Sequence, residues 1–177
     1  EMGKGSAILV IASDLHQEAP LWWLRVKQAA ERGAELIVAN PRDTRLDKYA
    51  RQCIRYAYGE EAATLAAFRP GATAPAELQA AAAAFAAAEN RVIIYGSEGL
   101  GYHGTQALAQ SAAAVLAGYG RVGALNNGLV GVWQRANDQG AWEIGFRPTA
   151  NLAAEIGSAG VLLVAAADPA GADPALA

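Results

Sequence analysis

A short apolar run near the start of the chain, from Ser6 to Ala12 (SAILVIA), is the feature that most constrains the fold. An unbroken apolar run of this length, containing β-branched residues, is typical of a strand buried on both faces of a parallel sheet. Pro20 suits the first turn of a helix, and Gly33 suits its end. A second apolar run follows at Glu35–Ala39. The sequence therefore predicts two parallel strands joined by a right-handed crossover helix.

Strand and helix patterns alternate along the rest of the chain, while Gly120–Gly140 is rich in glycine and asparagine and is predicted to be irregular. The alternation predicts an α/β fold, with a mostly parallel sheet flanked by helices on both faces. The alanine-rich segment is expected to pack as an amphipathic helix with Leu78 and Phe85 inward. The predicted strands are Cys53–Tyr58, Arg91–Tyr95 and Gly160–Ala167, and the predicted helices are Glu60–Phe68, Ala76–Glu89, His103–Leu116 and Pro148–Ile156.

The domain organisation is predicted from an internal echo. The end of the chain, SAGVLLVAAADPAGADP, repeats the order of features in SAILVIASDLHQEAP at the start. Residues 1–58 form the predicted opening strand–helix–strand unit, residues 91–157 a glycine-rich turn, helix and loop region, and residues 158–177 the start of a second related unit. Because the chain begins without methionine and ends as that unit starts, we expect it to be a fragment of a longer protein.

Composition excludes several classes of protein. The net charge of −3, from 14 basic and 17 acidic residues, gives no electrostatic footprint for nucleic acid. No apolar run approaches the roughly 20 residues that span a bilayer, so we expect no direct membrane insertion. The single cysteine, Cys53, excludes an internal disulfide and a cluster held by four thiolates of this chain, and we expect it to be buried and inert. With only two histidines, His16 and His103, no metal site is predicted.

Two turns have the position of a phosphate site in the predicted fold. Gly96–Gly101 follows a predicted strand and precedes a predicted helix, but its glycine spacing does not match a dinucleotide fingerprint. Glu98 would also place a negative charge beside a phosphate, so a plain strand-to-helix turn is predicted. The turn Ala12-Ser13-Asp14 has no glycine for close backbone approach, which argues against an NAD-type site. For Arg135–Gly145, the densest polar stretch, a surface loop and a ligand site both remain open.

That polar stretch also carries a family resemblance. RANDQGAWEIGFRP resembles N-x-Q-G-A-x-D-M-G-x-x-P of the molybdopterin-dependent oxidoreductases, such as formate dehydrogenases, although Glu143 and Ile144 depart from it. Residues 40–44 (NPRDT) and 103–105 (HGT) resemble two further motifs of that superfamily, which occur there in the same order. Within the superfamily, residues 18–50 are similar to the large iron–sulfur subunit of bacterial NADH-quinone oxidoreductase, or respiratory complex I. The positions that match the motif N-x-Q-G-A-x-D-M-G-x-x-P of the molybdopterin-dependent oxidoreductases are Asn137, Gln139, Gly140, Ala141, Gly145 and Pro148.

The resemblance implies a molybdopterin-oxidoreductase fold that has lost its cofactor. The chain would be a non-catalytic structural and interaction domain in the peripheral arm of complex I, which transfers electrons from NADH to quinone. Its partners would be other subunits of that complex, on the cytoplasmic face of the cell membrane, with iron–sulfur clusters elsewhere in the parent protein. No catalytic residue or metal ligand is expected. The positions of the vestigial pocket would be Ser13, Asp14, Arg42, Thr44, His103, Asn137, Gln139, Gly140 and Asp168.

An alternative is that the chain comes from a true molybdopterin-dependent oxidoreductase. Molybdopterin guanine dinucleotide would then lie near Arg42, Thr44 and residues 137–140. Departures from the family pattern favour loss of the cofactor, because residues 12–15 (ASDL) and 166–169 (AADP) lack the glycine of cofactor-binding members. A free-standing nucleotide-binding module is disfavoured for the same reason.

Overall fold

A computed structural model describes residues 2–133, 137–147, 149, 151–165, 167–172 and 176. The chain divides into two compact units, Glu1–Asp138 and Gln139–Ala177. Several positions used in the sequence comparison lie outside the described residues: Arg135, Ala136, Pro148, Ala166, Asp173 and Pro174.

The first unit contains a sheet of five strands, all parallel. Their order across the sheet is β3-β2-β1-β4-β5, which places the opening strand at the centre. Leu9 of that strand lies opposite Ile37 on one side and Ile93 on the other. The strands are β1 (Ser6–Ile11), β2 (Glu35–Ala39), β3 (Gln52–Ile54), β4 (Asn90–Tyr95) and β5 (Gly128–Gly131).

Helices follow most strands. Short 3₁₀ turns at Asp47–Tyr49 and Ala76–Leu78 add to them. No described helix is both long and apolar enough to cross a bilayer. The helices are α1 (Leu15–Glu18), α2 (Pro20–Glu31), α3 (Glu61–Ala66), α4 (Gln79–Ala87), α5 (Tyr102–Gly118), α6 (Asp138–Glu143), α7 (Leu152–Ser158) and α8 (Pro169–Ala172).

Alternate side chains of β1 enter two separate hydrophobic clusters, as the pleat of a strand requires. Leu9 packs in one cluster with Phe85 of α4 and Leu108 of α5. Ile8 packs in the other with Val26 of α2. Because apolar side chains cover both faces of the sheet, its strands can be continuous apolar runs. The predicted α/β fold, a parallel sheet with helices on both faces, is confirmed.

The opening unit is close to its prediction, with one addition. A short helix, α1, lies between β1 and α2. Pro20 begins α2, and Gly33 follows its end with φ +91°, a left-handed conformation that favours glycine. Cys53 is exposed, so the expectation that it is buried is wrong. The cause is that β3 lies at the sheet edge and pairs only with β2.

Two predictions about strands are wrong: one strand was not predicted, and one predicted strand does not form in its described residues. The region 120–140, predicted to be irregular, contains β5, whose Leu129 pairs with Ile93. The described residues of the predicted strand Gly160–Ala167 form no strand, and Val161 and Leu163 are about nine-tenths exposed (90% and 89%). A parallel strand needs neighbours for its backbone hydrogen bonds, and the described residues of the second unit contain no strand to supply them.

The alanine-rich helix is packed, as predicted, with Leu78 and Phe85 buried. The Phe85 ring lies edge-on to the rings of Phe68 and Tyr119, with centroids 5.5 and 5.8 Å away. At the end of the helix, Arg91 Nε donates to the Phe85 carbonyl at 2.9 Å, which ties α4 to β4. This segment is therefore part of the core of the first unit.

Replacing Phe85 tests this packing. We expect Phe85→Ala to lower the free energy of unfolding by about 3–5 kcal/mol, because a buried aromatic ring is lost and a cavity is left. The measurement is urea denaturation followed by circular dichroism. Ala83→Ser, on the exposed face of the same helix, is the control and should change the stability by less than about 0.5 kcal/mol. Equal effects of the two substitutions would contradict a packed helix.

Candidate functional site

The strand order creates one crevice at the carboxyl edge of the sheet. From β1 the chain proceeds to β2 on one side, whereas β4 and β5 lie on the other. In open α/β sheets, ligands bind where the order reverses, outside the carboxyl ends of the strands. Here that place lies between residues 12–14, which follow β1, and residues 96–98, which follow β4. We call it the switch-point crevice.

The two turns that border the crevice are bonded to each other. The backbone N–H of Gly96 donates to the Ile11 carbonyl, and that of Glu98 donates to the Ala12 carbonyl, both at 3.0 Å. A Cβ atom on Gly96 would lie 2.4 Å from the Ala12 oxygen and 2.8 Å from Ser13 Cβ. The turns therefore approach too closely to admit a ligand between their backbones, and these two N–H groups are already used.

Ala12 adopts an unusual conformation at the bottom of the crevice. Its φ is +52°, in the left-handed region, and its side chain is fully buried. An L-residue with a Cβ pays roughly 1–2 kcal/mol for this region, which glycine occupies freely. The sequence predicts that alanine here blocks close approach by a pyrophosphate, and the structure adds that Ala12 turns its carbonyl to Glu98 instead.

A carboxylate of the chain itself lies in the crevice. Arg42 holds Glu98 with two donors: Nε reaches Oε1 at 2.5 Å, and Nη2 reaches Oε2 at 3.2 Å. Asn40 Nδ2 donates to Oε2 at 3.3 Å, and the Tyr58 hydroxyl donates to Oε1 at 3.4 Å. A two-pronged arginine contact of this kind is also how proteins bind external carboxylates and phosphates. Glu98 therefore occupies the donors that an anionic ligand would use.

Arg42 is engaged on a second side as well. Its Nη1 donates to Asp14 Oδ2 at 3.2 Å, so one guanidinium joins the ends of β1, β2 and β4. The hydrogen bonds to Glu98, opposed by partial burial, raise the pKa of Arg42. The guanidinium is therefore charged at every relevant pH and does not act as an acid or base.

The crevice carries more negative than positive charge. Asp14 is 4% exposed, and its Oδ1 is buried without a hydrogen-bond partner among the described residues. Ser13 Oγ donates to Glu18 Oε2 at 2.5 Å, and burial, with repulsion from Glu98 and Asp14, raises the pKa of Glu18. A phosphate brought to about 4 Å from one of these carboxylates would meet a repulsion of roughly 4 kcal/mol per charge pair at an effective dielectric constant of about 20. The cluster therefore disfavours a phosphate.

The structure brings together three of the predicted pocket positions, Ser13, Asp14 and Arg42. Thr44 lies in the loop after β2, where its hydroxyl donates to Asp47 Oδ1 at 2.7 Å and accepts from the Leu46 N–H at 3.3 Å. These bonds stabilise a local turn. His103 is exposed near the start of α5, edge-on to the Tyr102 ring. No described contact links Thr44 or His103 to the crevice.

The remaining predicted positions make local contacts. Asn137 is exposed and has φ +65°. In the second unit, Gln139 Nε2 donates to Glu143 Oε1 at 2.7 Å, and Gly140 lies within α6. Asp168 Oδ1 accepts from the Gly171 N–H at 2.9 Å. The polar stretch predicted as loop or ligand site is thus partly helical, because Gln139 and Glu143 form a favourable i,i+4 pair.

The sequence does not predict that Asn40 and Tyr58 donate hydrogen bonds to Glu98. The sequence pattern marks Asn40 only as the end of a strand, and Tyr58 only as part of one. The signal that could have found them is their position, since both follow strands whose carboxyl ends meet at one edge. No sequence pattern indicates the pairing of Glu98 with Arg42 either.

No family model matches this sequence, and no curated protein matches it. The residues of the switch-point crevice do not fit a molybdopterin dinucleotide. The two turns are in contact, Arg42 is paired with Glu98, and the surrounding carboxylates repel phosphate. Among the described residues, no group of histidine, cysteine, aspartate and glutamate is arranged to hold a metal ion.

The contact between the two turns can be tested at Gly96. We expect Gly96→Ala to lower the free energy of unfolding by about 2 kcal/mol or more, because the new methyl group would overlap backbone atoms. Thermal and urea denaturation measure the change. Gly101→Ala is the matched control, since a Cβ there meets nothing within 4 Å. If both variants were equally stable, the turns would not be in contact.

The raised pKa of Glu18 gives a pH-dependent prediction. Its neutral form stabilises the fold, and that contribution is present below pH 4.5, the ordinary value, and is lost as the pH rises through the folded-state pKa. Glu18→Gln keeps a neutral acceptor for Ser13 at every pH. We therefore expect the variant to be more stable than the parent at pH 7 and equally stable near pH 4.

Urea denaturation at the two pH values measures the difference. Glu77→Gln, at an exposed side chain, is the control and should match the parent at both. A Glu18→Gln variant that is less stable than the parent at pH 7 would show that the Ser13 contact depends on the charge.

Proposed function

We propose that this chain is a structural, non-catalytic domain of a larger redox assembly. The observation that carries the proposal is the position of Glu98, whose carboxylate takes the donors of Arg42, Asn40 and Tyr58 in the crevice. The usual ligand position of an open α/β sheet is thereby filled from within the chain. A domain of this kind contributes its fold and its surface to the assembly.

The assembly we propose is the peripheral arm of respiratory complex I, with this chain as part of the molybdopterin-oxidoreductase-like domain of its large iron–sulfur subunit. The support is the sequence resemblance of residues 18–50 and of the motifs at 40–44 and 137–148, together with a parallel α/β fold that suits such a domain. In this proposal the iron–sulfur clusters belong to other parts of the parent protein. The domain lies on the cytoplasmic face of the membrane and contacts other subunits.

An exposed apolar surface on α2 suits such a contact. Leu21 is 78% exposed, and Trp22 and Leu24 are each nearly half exposed (46% and 44%). Their neighbour Trp23 instead packs inward, edge-on to the rings of His16 and Tyr49. Adjacent apolar side chains left in water, with an indole among them, are typical of a protein interface. We call Leu21, Trp22 and Leu24 the α2 face and propose that a neighbouring subunit covers it.

The proposal is tested in the full-length protein within its complex. We expect the double variant Leu21→Lys, Leu24→Lys to reduce copurification of the other subunits and NADH-quinone reductase activity by at least tenfold, because two charges would be buried at the contact. Glu31→Lys, at an exposed position on the same helix, changes the net charge by the same amount and should assemble normally.

Two results would contradict the proposal. One is normal assembly and activity of the double variant, which would remove the α2 face from any interface. The other is stoichiometric molybdenum in the purified full-length protein, measured by elemental analysis, which would identify a true molybdopterin-dependent oxidoreductase instead.

A further inference from the structure

A small cavity lies at the other end of the sheet, near the amino ends of β4 and β5. Its volume is about 160 Å³. It opens between the last turns of α5 and the loop that leads into β5. Its walls include Ala113, Leu116, Tyr119, Val122 and Leu129, and Arg121 lies among them. This cavity shares no residue with the switch-point crevice.

The cavity exists because the core is incomplete at this edge. β5 has only four residues and forms the edge of the sheet, and Leu129 remains 37% exposed. Leu116, by contrast, joins the buried cluster on the α5 face. The volume matches that of an engineered apolar cavity of about 150 Å³ that takes up benzene. A single aromatic ring therefore fills it.

Of the polar side chains that line the cavity, Arg91 and Asn127 bind other groups of the chain, and Arg121 is available to a ligand. Arg91 is 8% exposed; its Nε donates to the Phe85 carbonyl at 2.9 Å, its Nη2 donates to the Ala86 carbonyl, and its guanidinium stacks 4.0 Å from the centre of the Tyr119 ring. The Asn127 amide is also used, since its Oδ1 accepts from the Arg91 N–H at 2.9 Å. Arg121, however, forms no ion pair with any described residue.

We propose that this cavity binds a small aromatic monocarboxylate, with the ring against Leu116 and Leu129 and the carboxylate on Arg121. The ring removes apolar surface from water, and the guanidinium supplies a charge-assisted hydrogen bond at the mouth. The ligand class follows from one ring-sized apolar volume and one cation that forms no ion pair within the described part of the chain. The inference does not depend on the proposed function, because it concerns the opposite edge of the sheet.

The test uses benzoate as the probe and the whole 177-residue chain. Titration calorimetry at low ionic strength should give saturable binding of benzoate to one site, about tenfold tighter than benzyl alcohol, which has the ring without the charge. The absence of saturable benzoate binding up to about 20 mM, roughly the concentration at which a Kd near 1 mM would be saturated, overturns the proposal.

Three variants locate the site. Ala113→Phe fills the cavity and should abolish benzoate binding, whereas Ala114→Phe, at the adjacent exposed position outside the lining, should leave it unchanged. Arg121→Gln should bring benzoate down to the affinity of benzyl alcohol without changing the latter. Benzoate binding that survives Ala113→Phe, or that keeps its advantage over benzyl alcohol in Arg121→Gln, contradicts the site. If Ala113→Phe does not fold, the Arg121→Gln comparison decides.

Discussion

The contact between Arg42 and Glu98 determines what the carboxyl edge of the sheet can do. It crosses the place where the strand order reverses, and through Asp14 the same guanidinium also holds the end of the central strand. Arg42 is partly exposed, so the pair adds little to stability on its own. The contact matters because of its position. The guanidinium of Arg42, which could bind an external oxyanion, instead binds the carboxylate of Glu98, 56 residues further along the chain.

The fold does not depend on that contact. Two hydrophobic clusters, one on each face of the sheet, bury β1 completely and fix its neighbours β2 and β4. Since burial of apolar side chains is the dominant favourable contribution to folding, these clusters hold the strands in place more than the contacts at their polar ends do. The ends can then exchange a ligand for an internal carboxylate without changing the architecture. This is how one fold supports both binding and purely structural roles.

Burial on both faces explains how much of the fold could be predicted. Such strands leave continuous apolar runs, so the sequence identifies β1, β2 and β4. β5 escapes detection because it is four residues long with glycine at both ends, and only its pairing with β4 makes it a strand. Residues 161–165 show the opposite error, a predicted strand that does not form. An apolar run indicates that a segment would suit a buried strand, but it does not indicate whether neighbouring strands are present to pair with it.

The residues of the candidate site also fall into those that the sequence predicts and those that it does not. Asp14 and Arg42 could be predicted because each follows a recognisable strand and so must lie at the carboxyl edge. The grip of Asn40 and Tyr58 on Glu98 could not, because it depends on how three loops meet in space. The sequence predicts that Glu98 would place a negative charge beside a phosphate, but it does not indicate that Glu98 and Asp14 also repel Glu18.

The two edges of the sheet differ in how well they suit a ligand, and the physical reasons differ as well. At the carboxyl edge, Arg42 is paired with Glu98, and an external anion would have to displace this carboxylate of the chain itself. At the amino edge, the short strand β5 leaves apolar volume unfilled, and Arg121 has no counter-charge among the described residues. Unfilled apolar volume and a cation without an ion pair among the described residues both favour a ligand, whereas an external anion gains nothing at an arginine that is already paired with a carboxylate. The amino-edge cavity is therefore a better place for a small aromatic carboxylate than the space between the two turns of the switch-point crevice.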